Sequence, residues 1–140
     1  MKYHFTTDPA DLDFDVIHRF ISQTYWARGI PKEVMERAIS GSLCFGMVTD
    51  GALVAFGRFV TDKATFAYLA DVFVLPEYRG KGLSKSMLTQ AMQLPDLQGL
   101  RRMLLATSDA HGLYKKLGFE ALSKPGIFMQ KMNLSLYDLD

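Results

Sequence analysis

The chain reads as an α/β fold, and three observations carry that reading. Apolar residues recur at three- and four-residue spacing near the N-terminus. They gather into short β-branched and aromatic runs in the middle, and strand-like and helix-like segments then alternate towards the C-terminus. With 140 residues, 49% hydrophobic and 22% charged, the chain can bury one core, and its composition excludes a disordered, collagenous or coiled-coil protein. No internal repeat, low-complexity tract or Gly/Ser linker divides it, so residues 1–140 are expected to form a single domain.

Lys2 to Thr6 is expected to open the fold as a strand. From Asp13, the positions Val16, Ile17, Phe20, Ile21 and Thr24/Tyr25 define a helix with one buried face, which Gly29 ends. Asp11, Asp13 and Asp15 stand at its start, where the helix dipole favours acids. Pro31 fits the first position of a second helix through Val34, Met35, Ala38 and Ile39. The period then changes. Leu43 to Thr49, Asp50-Gly51 and Ala52 to Val60 read as a hairpin, with Phe66 to Leu75 as a third strand stopped by Pro76. Gly82 to Met92 reads helical and Arg102 to Thr107 as a buried strand. A helix through Leu113, Tyr114 and Leu117 is capped by Gly118, and Gly126 to Met132 reads as a final strand. The expected order is β-α-α-β-β-β-α-β-α-β-β.

Charge narrows the function. Sixteen basic against fifteen acidic residues leave +1, too balanced for a protein that lives on a nucleic-acid backbone. The start of the chain has no signal-like apolar run, and no stretch of about 18 apolar residues could span a membrane. The best candidate, Ala64 to Leu75, is broken by Asp71. Cys44 is the one cysteine, so neither an internal disulfide nor a multi-cysteine metal site is available, and a cytoplasmic location is expected. Cys44 is most simply a small hydrophobe in its strand. Locally the balance breaks: Arg79, Lys81 and Lys85 fall within seven residues that contain no acid.

Those three cations surround the most informative stretch, Val72-Phe73-Val74-Leu75-Pro76-Glu77-Tyr78-Arg79-Gly80-Lys81-Gly82-Leu83-Ser84-Lys85. A buried strand runs into a loop with two glycines, and a helix follows at once. Glycine lets the backbone approach a ligand closely, and the helix start adds unpaired N–H donors and partial positive charge. This is a seat for phosphate or pyrophosphate, although a plain glycine turn with solvated lysines explains the loop alone. A nucleotide P-loop needs GxxxxGK[ST], which no window satisfies. A dinucleotide fingerprint needs a third glycine, where Lys85 stands. The pyrophosphate loop of acyl-CoA-dependent transferases, Q/R-x-x-G-x-G/A, matches Arg79-x-x-Gly82-x-Ser84 apart from the small serine at its end.

Together with a second segment, Ala110-His111-Gly112-Leu113-Tyr114-Lys115-Lys116-Leu117-Gly118-Phe119, similar to an LYxKLGF motif, the chain resembles the GNAT superfamily of N-acetyltransferases. Tyr25-Trp26-Ala27-Arg28-Gly29 resembles a group of small, mostly uncharacterised members. The resemblance covers essentially the whole chain. It implies a mixed, mostly antiparallel sheet flanked by helices, with splayed central strands. It also implies acetyl-CoA as the acyl donor, no metal, a small-molecule or peptide amine as acceptor, and allows a homodimer.

Roles follow from the resemblance and from what acetyl transfer requires. Backbone N–H near Phe73 or Val74 would face the thioester oxygen, a donor typically worth about 2.7–4 kcal/mol in the transition state. Arg79, Gly80, Lys81, Gly82, Leu83, Ser84 and Lys85 would hold the cofactor. Tyr114 would protonate the leaving thiolate, since a phenol of pKa about 10 keeps its proton at pH 7; packing against the sheet is the plainer alternative. An amine of pKa about 10.4 costs roughly 4.6 kcal/mol to deprotonate at pH 7. Asp71, eight residues before Arg79, is the candidate base, with a structural carboxylate as the alternative and His111 and His18 as further options. An asparagine common in the family before the tyrosine is replaced by Thr107, Ser108 and Asp109, of which Ser108 or Asp109 would serve as a helix cap. Tyr25, Trp26, Arg28 and Arg58 are candidates for acceptor binding, Arg58 as a bidentate partner of a carboxylate. A non-catalytic acyl-CoA sensor is the competing hypothesis, and a nucleotide-binding protein a weaker third.

Overall fold

The computed structural model describes residues 1–137. Asp13 starts the first helix: its carboxylate accepts from the N–H groups of Asp15 and Val16 at 3.1 and 3.4 Å, which fits its role as N-cap of α1 (Phe14–Ile21). Ile17 and Ile21 are its buried face. The helix is shorter than its apolar spacing suggests. The Thr24 hydroxyl takes the Ile21 carbonyl at 2.7 Å, Gly29 donates to the Ser22 carbonyl, and His18 Nε2 meets the Ile30 carbonyl at 2.8 Å. Side-chain competition for backbone groups thus turns residues 22–30 into an anchored loop, and Thr24 and Tyr25 lie in it rather than on the helix. In α2 (Lys32–Ser40), Pro31 is the cap rather than the first helical residue, and Met35 is buried.

A five-stranded sheet carries these helices, in the order β1 (His4–Thr6), β2 (Leu43–Thr49), β3 (Ala52–Thr61), β4 (Phe66–Val74), β5 (Arg102–Leu104). The first three pairings are antiparallel and the last is parallel. Asp50 and Gly51 turn the β2–β3 hairpin with φ of 49° and 76°, the two left-handed positions of a tight hairpin. In the same hairpin a Cβ on Gly46 would stand 2.7 Å from the Ala55 carbonyl oxygen and 2.8 Å from a Leu53 methyl. Backbone cannot give way cheaply, so Gly46→Ala is expected to cost about 1–3 kcal/mol, read as a lower denaturation midpoint at unchanged slope.

One irregularity shapes the centre of the sheet. Phe56 pairs with Phe73 and Arg58 with Ala70, so Asp71 and Val72 together oppose the single residue Gly57. This is a β-bulge, with Asp71 at φ 56°. It resets the alternation of β4. Ala67 and Leu69, then Val72 and Val74, belong to the core beside α3 (Leu83–Ala91), with Phe45, Phe59, Met87 and Leu88. Phe73 joins Ile17, Ile21, Met35 and Phe56 in the core under α1 and α2.

Parallel pairing of β4 with β5 covers only Phe66–Tyr68 against Arg102–Leu104. Among the described residues nothing pairs with that side of β4 from Leu69 to Val74, so the strands part there, as splayed central strands require. After β5 comes α4 (His111–Lys116).

The expected closing strands are not formed. Within 126–132 the chain makes a 3-10 turn at Pro125–Ile127 and then runs on unpaired. Pro125-Gly126 imposes the turn, and a strand gains little without a partner backbone. Ile127, Met129 and Met132 are left 66, 97 and 65% exposed.

Candidate active site

β4 leads straight into the glycine loop. A 3-10 turn at Pro76–Tyr78 ends the strand, Gly80 and Gly82 take φ of 78° and 74°, and Gly82 caps α3. Both glycines face open space, so conformation rather than crowding demands them. Among the described residues, none of the N–H groups of residues 80–85 has a protein acceptor. Six backbone donors and a helix start therefore converge on one exposed turn. Arg79 Nε donates to the Val74 carbonyl at 2.9 Å, which ties the loop to the end of β4. Lys81 and Lys85 are exposed, Ser84 is half-buried, and Leu83 is buried, so only its backbone is available to a ligand.

Tyr114, on α4, packs with Val72 against the α3-side core, in contact edge-on with Phe119 at 5.8 Å between ring centroids. Burial first, and the charge of Asp109 second, raise its pKa above the usual 10, so the phenol is neutral across the physiological range. The α4 entrance differs from expectation: the Thr107 hydroxyl accepts from the Ala110 N–H at 3.1 Å, the cap role assigned from sequence to Ser108 or Asp109.

The opposite face of the sheet holds a charged pair. Asp71 Oδ2 accepts from Arg58 Nε at 2.7 Å and Oδ1 from Trp26 Nε1 at 2.7 Å. Arg58 Nη1 donates to the Ser42 hydroxyl at 2.9 Å. The side chains of Arg58 and Asp71 are 17 and 7% exposed. The bulge is what turns Asp71 towards these partners, and the bond to Asp71 holds Trp26, half exposed, at the rim. Tyr25 stands edge-on to Trp26 at 5.0 Å and is 80% exposed. Ser42 also lines a mostly apolar cavity of about 630 Å³, with Leu12, Phe14, Ile39 and Cys44.

The structure thus brings together Trp26, Arg58 and Asp71, with Tyr25 beside them, and puts Tyr114 on the other side of the parted strands. Arg28 is exposed and has no listed polar contact with this group. His18 is engaged with the Ile30 carbonyl, and His111 is exposed at the start of α4. Cys44 is buried, its thiol pushed up to about 11 chiefly by desolvation. Ser42 is the member that sequence reading misses. It lies sixteen residues from Arg58, in the α2–β2 connection, and nothing in its neighbours marks it. Among the described residues no group of three His, Cys, Asp or Glu side chains could hold a metal ion, and no helix is long and apolar enough to cross a membrane.

A strand parted from its neighbour and running into an anion-binding glycine turn defines a protein of the acyl-transfer class. Residues 14–119 match the model of the acetyltransferase (GNAT) family, and the chain belongs to that family. A candidate GNAT-family acetyltransferase from Xanthomonas campestris pv. campestris has a crystal structure that superposes with a TM-score of 0.95. It is 52% identical, over 99% of each chain. A candidate acetyltransferase from Gibberella zeae is 33% identical, over 84% of this chain and 79% of its own. The thialysine N-epsilon-acetyltransferase of Bos taurus is 33% identical, over 51% of this chain and 47% of its own.

Proposed function

We propose that the chain acts as one acetyltransferase domain, moving an acetyl group from acetyl-CoA to a primary amine of a small molecule or peptide by direct attack in a ternary complex. The observation that carries this is the continuity of the unpaired β4 edge, Leu69–Val74, with the turn of six free N–H groups that heads α3. The pantetheine amides would pair with the β4 edge and the pyrophosphate would sit on residues 79–85. The thioester oxygen would lie near the N–H of Phe73 or Val74. Tyr114 would reach the sulfur from the α3 side, while the amine approaches from the side of Tyr25, Trp26 and Arg58. Both carboxylate oxygens of Asp71 already accept short hydrogen bonds, so we assign it to positioning Trp26 and Arg58. The amine then binds in its neutral form or passes its proton to water.

Calorimetry tests the donor site without knowledge of the acceptor. Acetyl-CoA and CoA are expected to bind in the micromolar range, ATP and NAD far more weakly. Gly82→Trp puts a side chain on a residue at φ 74°, a strain of about 1–2 kcal/mol, and should weaken acetyl-CoA about tenfold or more. Absence of acetyl-CoA binding by the folded protein would remove the proposal.

A second reading, an acyl-CoA-binding module without turnover, is favoured by one observation: the carboxylate nearest the parted strands is fully engaged and leaves no free base there. It requires saturable binding with no thiol release across a broad panel of amines.

A further inference from the structure

The C-terminal part of the chain leaves two complementary surfaces unsatisfied. The first is a slot of about 370 Å³ between β5, at Arg102, Met103 and Leu104, and the segment that follows α4, at Phe119, Ala121 and Leu122. Both walls carry unpaired backbone: β5 is hydrogen-bonded on its β4 side only, and among the described residues no N–H from 120 to 124 has a protein acceptor. The second surface is the segment 127–132. Its side chains Ile127, Met129 and Met132 are largely exposed, followed by Leu134 and Leu136 at 86 and 60%. Soluble monomers rarely keep so much contiguous apolar surface, or an open sheet edge beside it.

The chain's own segment is led away from its own slot. Phe128 is held under the Arg102 guanidinium, 5.1 Å from ring centroid to Cζ, at the start of β5. Nine residues on, Tyr137 packs into the α1/α2 core beside Gly29. Residues 129–136 therefore bridge from the sheet edge to the α1–α2 loop with their apolar side chains outward. We propose that segment 127–132 of a second copy enters the slot as a strand, and that the exchange is reciprocal in a two-fold dimer. One symmetry operation fills both slots, pairs both segments and covers both sets of side chains. The exposed surface of Ile127, Phe128, Met129, Met132, Leu134 and Leu136 is on the order of the ~800 Å² per partner that stable interfaces bury. The inserted strand also backs Phe119, whose ring contacts Tyr114. The dimer is thereby coupled to the candidate acid, although it stands whether or not the chain transfers acetyl groups.

Light scattering on the full chain at micromolar concentration reads the assembly, with an expected mass twice that of the chain. Met129→Asp together with Met132→Asp should give a folded monomer, because Met129 is 97% exposed and the double variant disturbs no packing within the chain. A mixture of Met103→Cys chains with Met129→Cys chains should form disulfide-linked pairs of one of each, which only exchange between copies allows. The buried Cys44 stays out of that reaction. A wild-type monomer overturns the proposal. So does a dimer whose mass the two aspartates leave unchanged and in which the two cysteines do not join.

Discussion

Replacing Tyr114 with phenylalanine is expected to lower kcat for thiol release from acetyl-CoA by about a hundredfold or more, with the acetyl-CoA Kd within about twofold of wild type. The substitution removes one oxygen and leaves the ring, so contact with Phe119 and the α3-side core persists. What is lost is the proton for the departing thiolate. The chemistry favours a phenol here: burial and the Asp109 carboxylate both raise its pKa, so it keeps its proton until a developing sulfur anion can take it. The same shift fixes the pH dependence. The acid form is required, its pKa lies above 10, and so activity should not fall through loss of this proton until the solution is more alkaline than pH 10. In Tyr114→Phe that alkaline limb should be absent. Equal losses in kcat and kcat/KM with unchanged donor affinity identify an interaction made in the transition state. An unchanged kcat would return Tyr114 to packing.

Much of this arrangement is legible in the sequence, because local rules and tertiary contacts agree over most of the chain. Leu43–Thr49 is bounded as its composition requires, and Asp50-Gly51 adopts the left-handed turn that this dipeptide favours. The glycine loop is legible for the same reason: its conformation is set by two residues without a Cβ. Three features depend on long-range contacts and are not. Strict alternation cannot reveal the bulge at Asp71, which is fixed by one glycine on a neighbouring strand. The link from Trp26 to Asp71 spans 45 residues and joins two positions that sequence reading singles out separately. The apolar run 126–132 does carry the composition of a strand, yet strand formation requires a partner edge. Its own chain leads it away from the one that is open.

The bulge also hosts the contact with the largest expected effect on stability. Arg58→Ala should lower the unfolding free energy by about 3–5 kcal/mol, because it leaves the nearly buried Asp71 carboxylate without its cation. Ser42 loses its donor in the same change, and the guanidinium's apolar stem leaves a gap beside the α1/α2 core. Domains of this size hold about 5–15 kcal/mol in total, so the variant should fold but melt some 10 °C or more below wild type. Asp71→Asn separates charge from shape. Asparagine tolerates the left-handed backbone at φ 56° and can still accept from Trp26 Nε1, but it leaves Arg58 buried and uncompensated. Its loss should be similar in sign and smaller in size, and the double variant Arg58→Met with Asp71→Asn should recover part of it. That recovery is the expected signature of a direct pair, since substitutions in contact couple by about 0.5–3 kcal/mol whereas distant ones add. Strict additivity in thermal or denaturant unfolding would mean that Arg58 and Asp71 stabilise the fold independently. Trp26 would then have to be held over the parted strands by something other than this pair.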